Sequence, residues 1–172
     1  MKTQVAIIMG SDSDLVIMSE AAKFLEELQI PYVLNILSAH RSPDETADFA
    51  KKAKNTGIKV IIAAAGGAAA LPGSIASQTS LPVIGVPIKS TSLEGLDSLL
   101  SMVQMPPGVP VATVGINSAK NAAIIASQIL ALSNSEISQK LENFKNNMKK
   151  NILEKSQYLK TKGYKKYLNK KK

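Results

Sequence analysis

Short apolar runs rich in β-branched residues punctuate the chain at 5–9, 32–37, 59–64, 83–86 and 111–114. Several are apolar at consecutive positions, as strands are when helices cover both faces of a parallel sheet. Between them lie segments whose apolar residues recur every three or four positions, the period of an amphipathic helix. Ser13-Asp14 opens one such segment that runs to about Leu28, and Ser42-Pro43-Asp44-Glu45 reads as a cap with proline in the first turn and acids at the positive helix end. Asn117-Ser118 precedes a helix over 119–132, and shorter helices are expected at 71–78 and 93–103. Ile137, Leu141, Phe144, Met148 and Ile152 form a stripe that predicts one long helix from Ser135 to about Leu159. Strands alternating with helices in this way predict a three-layer α/β/α sandwich on a doubly wound, flavodoxin-like parallel sheet of five strands, with a long C-terminal helix. The chain then divides into a single α/β domain over 1–160 and a basic, frayed tail over 161–172.

Composition narrows the chemistry. Cysteine is absent, which excludes disulfide frameworks and thiolate metal sites and agrees with a reducing, cytoplasmic setting. There is one histidine, His40, and one arginine, Arg41, so no site built on several imidazoles is expected and metal is assigned no role. No stretch approaches the ~20 apolar residues of a membrane span, so a soluble, unprocessed protein is expected. The formal charge of +8 is uneven, because 12 of the 21 basic residues and only 3 of the 13 acids fall in 136–172. Lysines concentrated in a terminal extension fit a solvated helix face better than a nucleic-acid groove, so neither nucleic acid nor membrane is expected as a partner.

In a doubly wound sheet ligands sit beyond the carboxyl ends of the strands. Four of the loops there are unusual. The first strand is followed by Gly10-Ser11-Asp12-Ser13-Asp14, a close-approach glycine and then hydroxyls and carboxylates at a helix start. The second is followed by Ser38-Ala39-His40-Arg41, where the sole His and the sole Arg stand together beside a hydroxyl, as an anionic substrate would require. The third is followed by Ala65-Gly66-Gly67-Ala68-Ala69-Ala70-Leu71-Pro72-Gly73, small residues that leave room for a ligand or for tight packing. A fourth stretch, from Val86 to Val111, is punctuated by Pro and Gly and reads as a rigid lid or a subunit contact.

Taken together, Gly-Ser-Asp-Ser-Asp, Ser-Ala-His-Arg, Ala-Gly-Gly-Ala-Ala-x-Leu-Pro-Gly and Gly-Leu-Asp-Ser-Leu-Leu-Ser-x-Val-Gln-Met-Pro, in this order and spacing over about residues 3–155, resemble the class I N5-carboxyaminoimidazole ribonucleotide mutases of purine biosynthesis, the PurE family. The resemblance implies a homo-octamer that works without metal or organic cofactor on a small ribonucleotide. It implies that His40 is the proton shuttle, giving a proton as the carbamate loses carbon dioxide and removing the ring proton once carbon 4 is carboxylated. An imidazole titrates near neutrality and serves both directions. It implies further that Ser11, Ser38 and Arg41 hold the substrate phosphate, that Asp14 and Asp12 hold ribose hydroxyls or the ring amine, and that Gly66, Gly67 and Ala68 wall the pocket in which carbon dioxide is retained. The chain departs from the usual Ala-Ala-His-Leu-Pro-Gly-Met at two places, Ala70 and Ser74 standing for His and Met. His40 is intact, so the reaction class is expected to survive.

Two alternatives accompany this reading. One is the class II relative, which carboxylates aminoimidazole ribonucleotide with free carbon dioxide; the loop 66–73 resembles class I. The other is a flavodoxin-like module that binds a nucleotide without chemistry, against which stand the scarce aromatics, with Trp absent.

Overall fold

The computed structural model describes residues 2–169. Its sheet has five strands, β1 (Val5–Met9), β2 (Tyr32–Ile36), β3 (Val60–Gly66), β4 (Val83–Ile88) and β5 (Ala112–Thr113), in the order β2-β1-β3-β4-β5. All pairs are parallel, with Ile7 opposite both Leu34 and Ile62, and Ile62 opposite Ile84. The helices are α1 (Leu15–Glu27), α2 (Pro43–Ala53), α3 (Leu71–Ala76), α4 (Leu96–Val103), α5 (Ala119–Ala131) and α6 (Ser135–Asn169). This is the doubly wound, flavodoxin-like sandwich expected from the alternation of strand and helix. The edge strand β5 is shorter than the apolar run at 111–114 predicts, since pairing with β4 is confined to Ala112 and Thr113.

Side chains alternate across a strand, so each central strand feeds two cores. Val5, Ile7 and Met9 of β1 join Ile62, Ile84 and Val86 beneath α1 and α5, while Ala6 and Ile8 join Ile61 and Ala63 beneath α2, α3 and α4. β1 is buried at every position. Helix α5 presents Ala119, Ala122, Ala123 and Ala126 to α1 and the sheet, and these small side chains let the helix approach closely. Among the described residues no buried side-chain polar atom lacks a hydrogen-bond partner. The Ser98 hydroxyl, for instance, shares its one proton between the carbonyls of Ile88 (2.7 Å) and Gly95 (2.8 Å) and so ties α4 to the end of β4. At Gly95 the backbone has φ +92°, and a Cβ would stand 2.7 Å from Ile116 Cγ2, so the turn into α4 requires glycine.

Helix α6 begins as its stripe predicts. Asn134 Oδ1 accepts the Ile137 amide (3.1 Å), Ile137 and Leu141 are buried, and Phe144 meets Phe24 edge-on with ring centroids 5.0 Å apart. Lys120 Nζ stands 5.4 Å from both ring centres, and Lys140 Nζ donates to the Leu28 carbonyl at the end of α1 (3.0 Å). Two expectations for this helix are corrected. Met148 and Ile152 continue the stripe in sequence but are exposed, because the domain ends beneath Phe144. The helix also does not stop near Leu159; it continues until Gly163 (φ 75°, ψ 162°) interrupts it, and a further helical segment reaches Asn169. Tyr158 and Tyr167 lie against one another across that break, centroids 6.0 Å apart. The last three lysines of the expected tail, Lys170, Lys171 and Lys172, lie outside the described residues. No helix among the described residues is long and apolar enough to cross a membrane.

The Phe24–Phe144 contact is the apolar anchor of α6. Phe144→Ala is expected to cost about 2 kcal/mol, below the full core value because the ring is only partly buried. Urea denaturation checks the magnitude, and faster amide exchange in 135–145 than in α5 checks that the loss falls on α6.

Candidate active site

Three loops beyond the carboxyl ends of β1, β2 and β3 converge on one cavity of about 360 Å³. The first contributes Gly10, Ser11, Ser13 and Asp14, the second Ser38, Ala39, His40 and Arg41, and the third Ala65, Gly66, Ala69, Ala70 and Leu71. Residues more than fifty positions apart thus share a wall because adjacent parallel strands end at the same level.

Each loop is fixed by short-range hydrogen bonds. The Gly10 amide donates to the Ala64 carbonyl (3.2 Å), joining the ends of β1 and β3. A single turn of 3-10 helix, Asp12–Asp14, follows, in which the Ser11 hydroxyl accepts from the Ser13 amide (3.4 Å) and donates to Asp12 (3.1 Å). In the second loop the Ser42 amide donates to the Ser38 carbonyl (2.9 Å) and its hydroxyl accepts from the Ser38 amide (2.9 Å). Ser42 therefore occupies the cap position of α2, as its sequence suggests, but its side chain locks the loop instead of capping the helix. Arg41 spans two loops: Nη2 donates to the Gly10 carbonyl (2.6 Å), while Nε (3.4 Å) and the amide (3.2 Å) donate to the Ser38 hydroxyl. In the third loop Gly67 (φ 62°) and Ala69 (φ 33°) are both left-handed, and the Ala69 amide donates to Gly66 (3.2 Å). Positive φ at an alanine is strained, and here it sits in the cavity wall.

Of the residues singled out in the sequence, His40, Ser11, Asp14, Ser38, Arg41 and Gly66 line this cavity. Asp12, Gly67 and Ala68 are not among its lining residues. Asp12 instead accepts from Ser11, and Gly67 and Ala68 form the turn that carries the third loop into α3. Gly10, Ser13, Ala39, Ala65, Ala69, Ala70 and Leu71 line it without having been singled out as site residues. Ser13 was legible only as a helix start, although its alternation with Asp in Ser-Asp-Ser-Asp is the signal. Ala70, one of the two departures from the family pattern, lies in the wall at the cap of α3, whereas Ser74 lies within α3 and off the cavity. His40 and Arg41 are exposed in the subunit, and no group of three or more His, Asp or Glu side chains among the described residues is placed to hold a metal ion.

The site thus offers an imidazole, a guanidinium held by two loops, serine hydroxyls and one buried carboxylate, facing a wall of small apolar side chains. A parallel α/β subunit with this set at its strand ends is equipped to bind a phosphorylated sugar and move a proton. The chain matches the AIR carboxylase family over residues 4–151 and belongs to that family. It is 59% identical to the N5-carboxyaminoimidazole ribonucleotide mutase of Thermotoga maritima over 98% of both chains. To the enzyme of that name from Pyrococcus horikoshii it is 58% identical, over 98% of this chain and 95% of that one. Its fold superposes on the crystal structure of Treponema denticola PurE with a TM-score of 0.83 at 30% identity, covering 91% of this chain and 98% of that one.

Asp14 is the electrostatic tension in the site. It is 7% exposed, and burial pushes its carboxyl above the usual aspartate range. The Ser13 hydroxyl, a backbone hydrogen bond from Ser11 and the charge of Arg41 oppose that rise, and Asp12 reinforces it. With the folded value above the unfolded one, the stability this group contributes is present below the ordinary aspartate value and lost as pH rises through the folded value. Asp14→Asn is therefore expected to raise the urea midpoint at about pH 7 and to lose that advantage at about pH 3, where the native carboxyl is protonated in both states. Paired denaturation curves at the two pH values check the sign.

Proposed function

We propose that the protein is an N5-carboxyaminoimidazole ribonucleotide mutase, converting its substrate into 4-carboxy-5-aminoimidazole ribonucleotide. The observation that carries the reading is the convergence of the only imidazole, the only guanidinium and a buried aspartate on one small-walled cavity. Membership of the AIR carboxylase family and the high identity to enzymes bearing the mutase name support it.

In this mechanism Arg41, Ser11 and Ser38 hold the substrate phosphate, the Ser11 hydroxyl turning to it the proton that it gives to Asp12 in the free protein, and Asp14 takes the ribose hydroxyls. The carbamate bond breaks to release carbon dioxide, its electron pair staying on the amine nitrogen, which takes a proton from His40. Carbon 4 of the electron-rich ring then attacks the trapped carbon dioxide, and His40 removes the proton from carbon 4. The proton given is regained, so the reaction is an isomerisation and needs no external acid, base or oxidant. The small apolar groups of Ala65, Gly66, Ala69, Ala70 and Leu71 limit the water that would otherwise hydrate carbon dioxide. No Phe, Tyr or Trp side chain lines the cavity, so it lacks the broad stacking surface a flavin would use.

We read the working form as a homo-octamer in the cytoplasm. In support, Leu93, Leu96, Leu100 and Val103 form an exposed apolar strip along and before α4, and Met148, Ile152 and Leu153 are exposed on the part of α6 that no other element of the subunit covers. From Lys145 to Lys162 that helix extends roughly 27 Å beyond its last aromatic anchor.

The function is tested by supplying the carboxyaminoimidazole ribonucleotide with and without bicarbonate. Equal turnover in both arms is expected of a mutase; turnover of aminoimidazole ribonucleotide only with bicarbonate identifies the carboxylase. His40→Asn should lower kcat by ~10²- to 10⁴-fold with KM and the unfolding midpoint close to wild type. Near-native turnover in that variant removes His40 from the proton transfers. A chain ended after Asn147 keeps the docked turns of α6, and light scattering should find it in smaller assemblies than the intact protein; an unchanged octamer would show that the free part of α6 does not join subunits.

A further inference from the structure

Asp14 is buried in the cavity wall, yet one of its two carboxylate oxygens is already engaged: the Ser13 hydroxyl donates to Oδ1 at 3.2 Å. The neighbouring hydroxyl cannot serve in its place, because Ser11 directs its own proton to Asp12 at 3.1 Å. A serine hydroxyl has a single proton, so Ser13 cannot donate to Asp14 and to a bound phosphate at once. The carboxylate torsion of aspartate is broad and nearly two-fold, and a carboxylate with no fixed donor presents either oxygen. The Ser13 donor on Oδ1, with the Ser11 backbone as a lesser influence on the same carboxyl, removes that equivalence. We propose that Ser13 is a positioning residue for the reaction assigned above: it clamps Oδ1 of Asp14 so that Oδ2 alone is turned toward the ribose hydroxyls of the substrate.

The inference rests on the proposed function for the identity of the substrate, but the clamp belongs to the free protein. Holding one oxygen in place before binding spares the ordering cost that a freely turning carboxylate would incur when it meets a diol. It also favours the ionised form against the effect of burial, since the Ser13 hydrogen bond is the largest influence opposing desolvation. The other charges that act on Asp14 are Asp12 from the same turn and Arg41 from the loop after β2, and His40 lines the same cavity. Replacing Ser13 alters none of these charges.

The test uses the full chain with Ser13→Ala and Ser13→Thr. Ser13 is exposed, so neither change disturbs the core. The Asp14 carboxyl is followed by carbon NMR in the substrate-free protein, assigned by its loss in Asp14→Asn. In Ser13→Ala the Asp14 titration should move to higher pH, KM should rise about tenfold, and kcat should stay within about twofold. Ser13→Thr, which keeps the hydroxyl, should restore both the titration and KM. An Asp14 titration that does not move overturns the clamp, and if KM still rises then Ser13 touches the substrate directly. Failure of the threonine variant to restore both also overturns it. Failure of the functional reading would appear instead as absent turnover in the wild type, with the Asp14 titration still readable.

Discussion

The structure depends on β1 and β3 lying side by side, parallel and buried on both faces. Because every side chain of β1 is enclosed, a shift of one residue would exchange Val5, Ile7 and Met9 with Ala6 and Ile8 between two cores of different shape. The register is thereby held, and with it the height at which β1, β2 and β3 end. The Gly10 amide on the Ala64 carbonyl and the Arg41 guanidinium on the Gly10 carbonyl extend that alignment from the strands into the loops. The cavity is a consequence of where the strands stop.

The site departs from the economy of the core in two places. The third loop carries a left-handed alanine at Ala69, and the first buries an ionisable carboxylate at Asp14. Both lower stability locally, and both lie in the cavity wall, as functional groups held by a rigid scaffold commonly do. The surrounding hydrogen bonds are what make them tolerable. Ser42 locks the second loop at the expense of capping α2, and the acids at the start of that helix, Asp44 and Glu45, remain to complement its positive end.

Helix α6 shows two regimes in one element. Its first turns are docked by Ile137, Leu141 and the Phe24–Phe144 contact, and its later turns have few apolar neighbours in the subunit. A helix this long and this poorly covered within the subunit draws its order from propensity and from i,i+4 pairing such as Lys150 with Glu154.

The sequence by itself determined the fold class, the five strands and the three chemistry-bearing loops, because doubly buried strands and amphipathic helices leave different periods in the chain. It singled out His40 and Arg41 because each is the only residue of its type. Local pattern could not separate Ser13 from Asp12: both sit in one alternating run, and only the 3-10 turn puts Ser13 on the cavity and Asp12 away from it. Nor could it place Ala69 and Ala70 in the wall ahead of Gly67 and Ala68, since that choice follows from the left-handed backbone at Gly67 and again at Ala69. The stripe on α6 was legible through Ile152, but where its burial ends depends on the extent of α1 and α5 beneath it. Side-chain period is a local property of the chain; which side of a turn faces a cavity, and where a helix outruns its support, are decided only when distant segments are packed together.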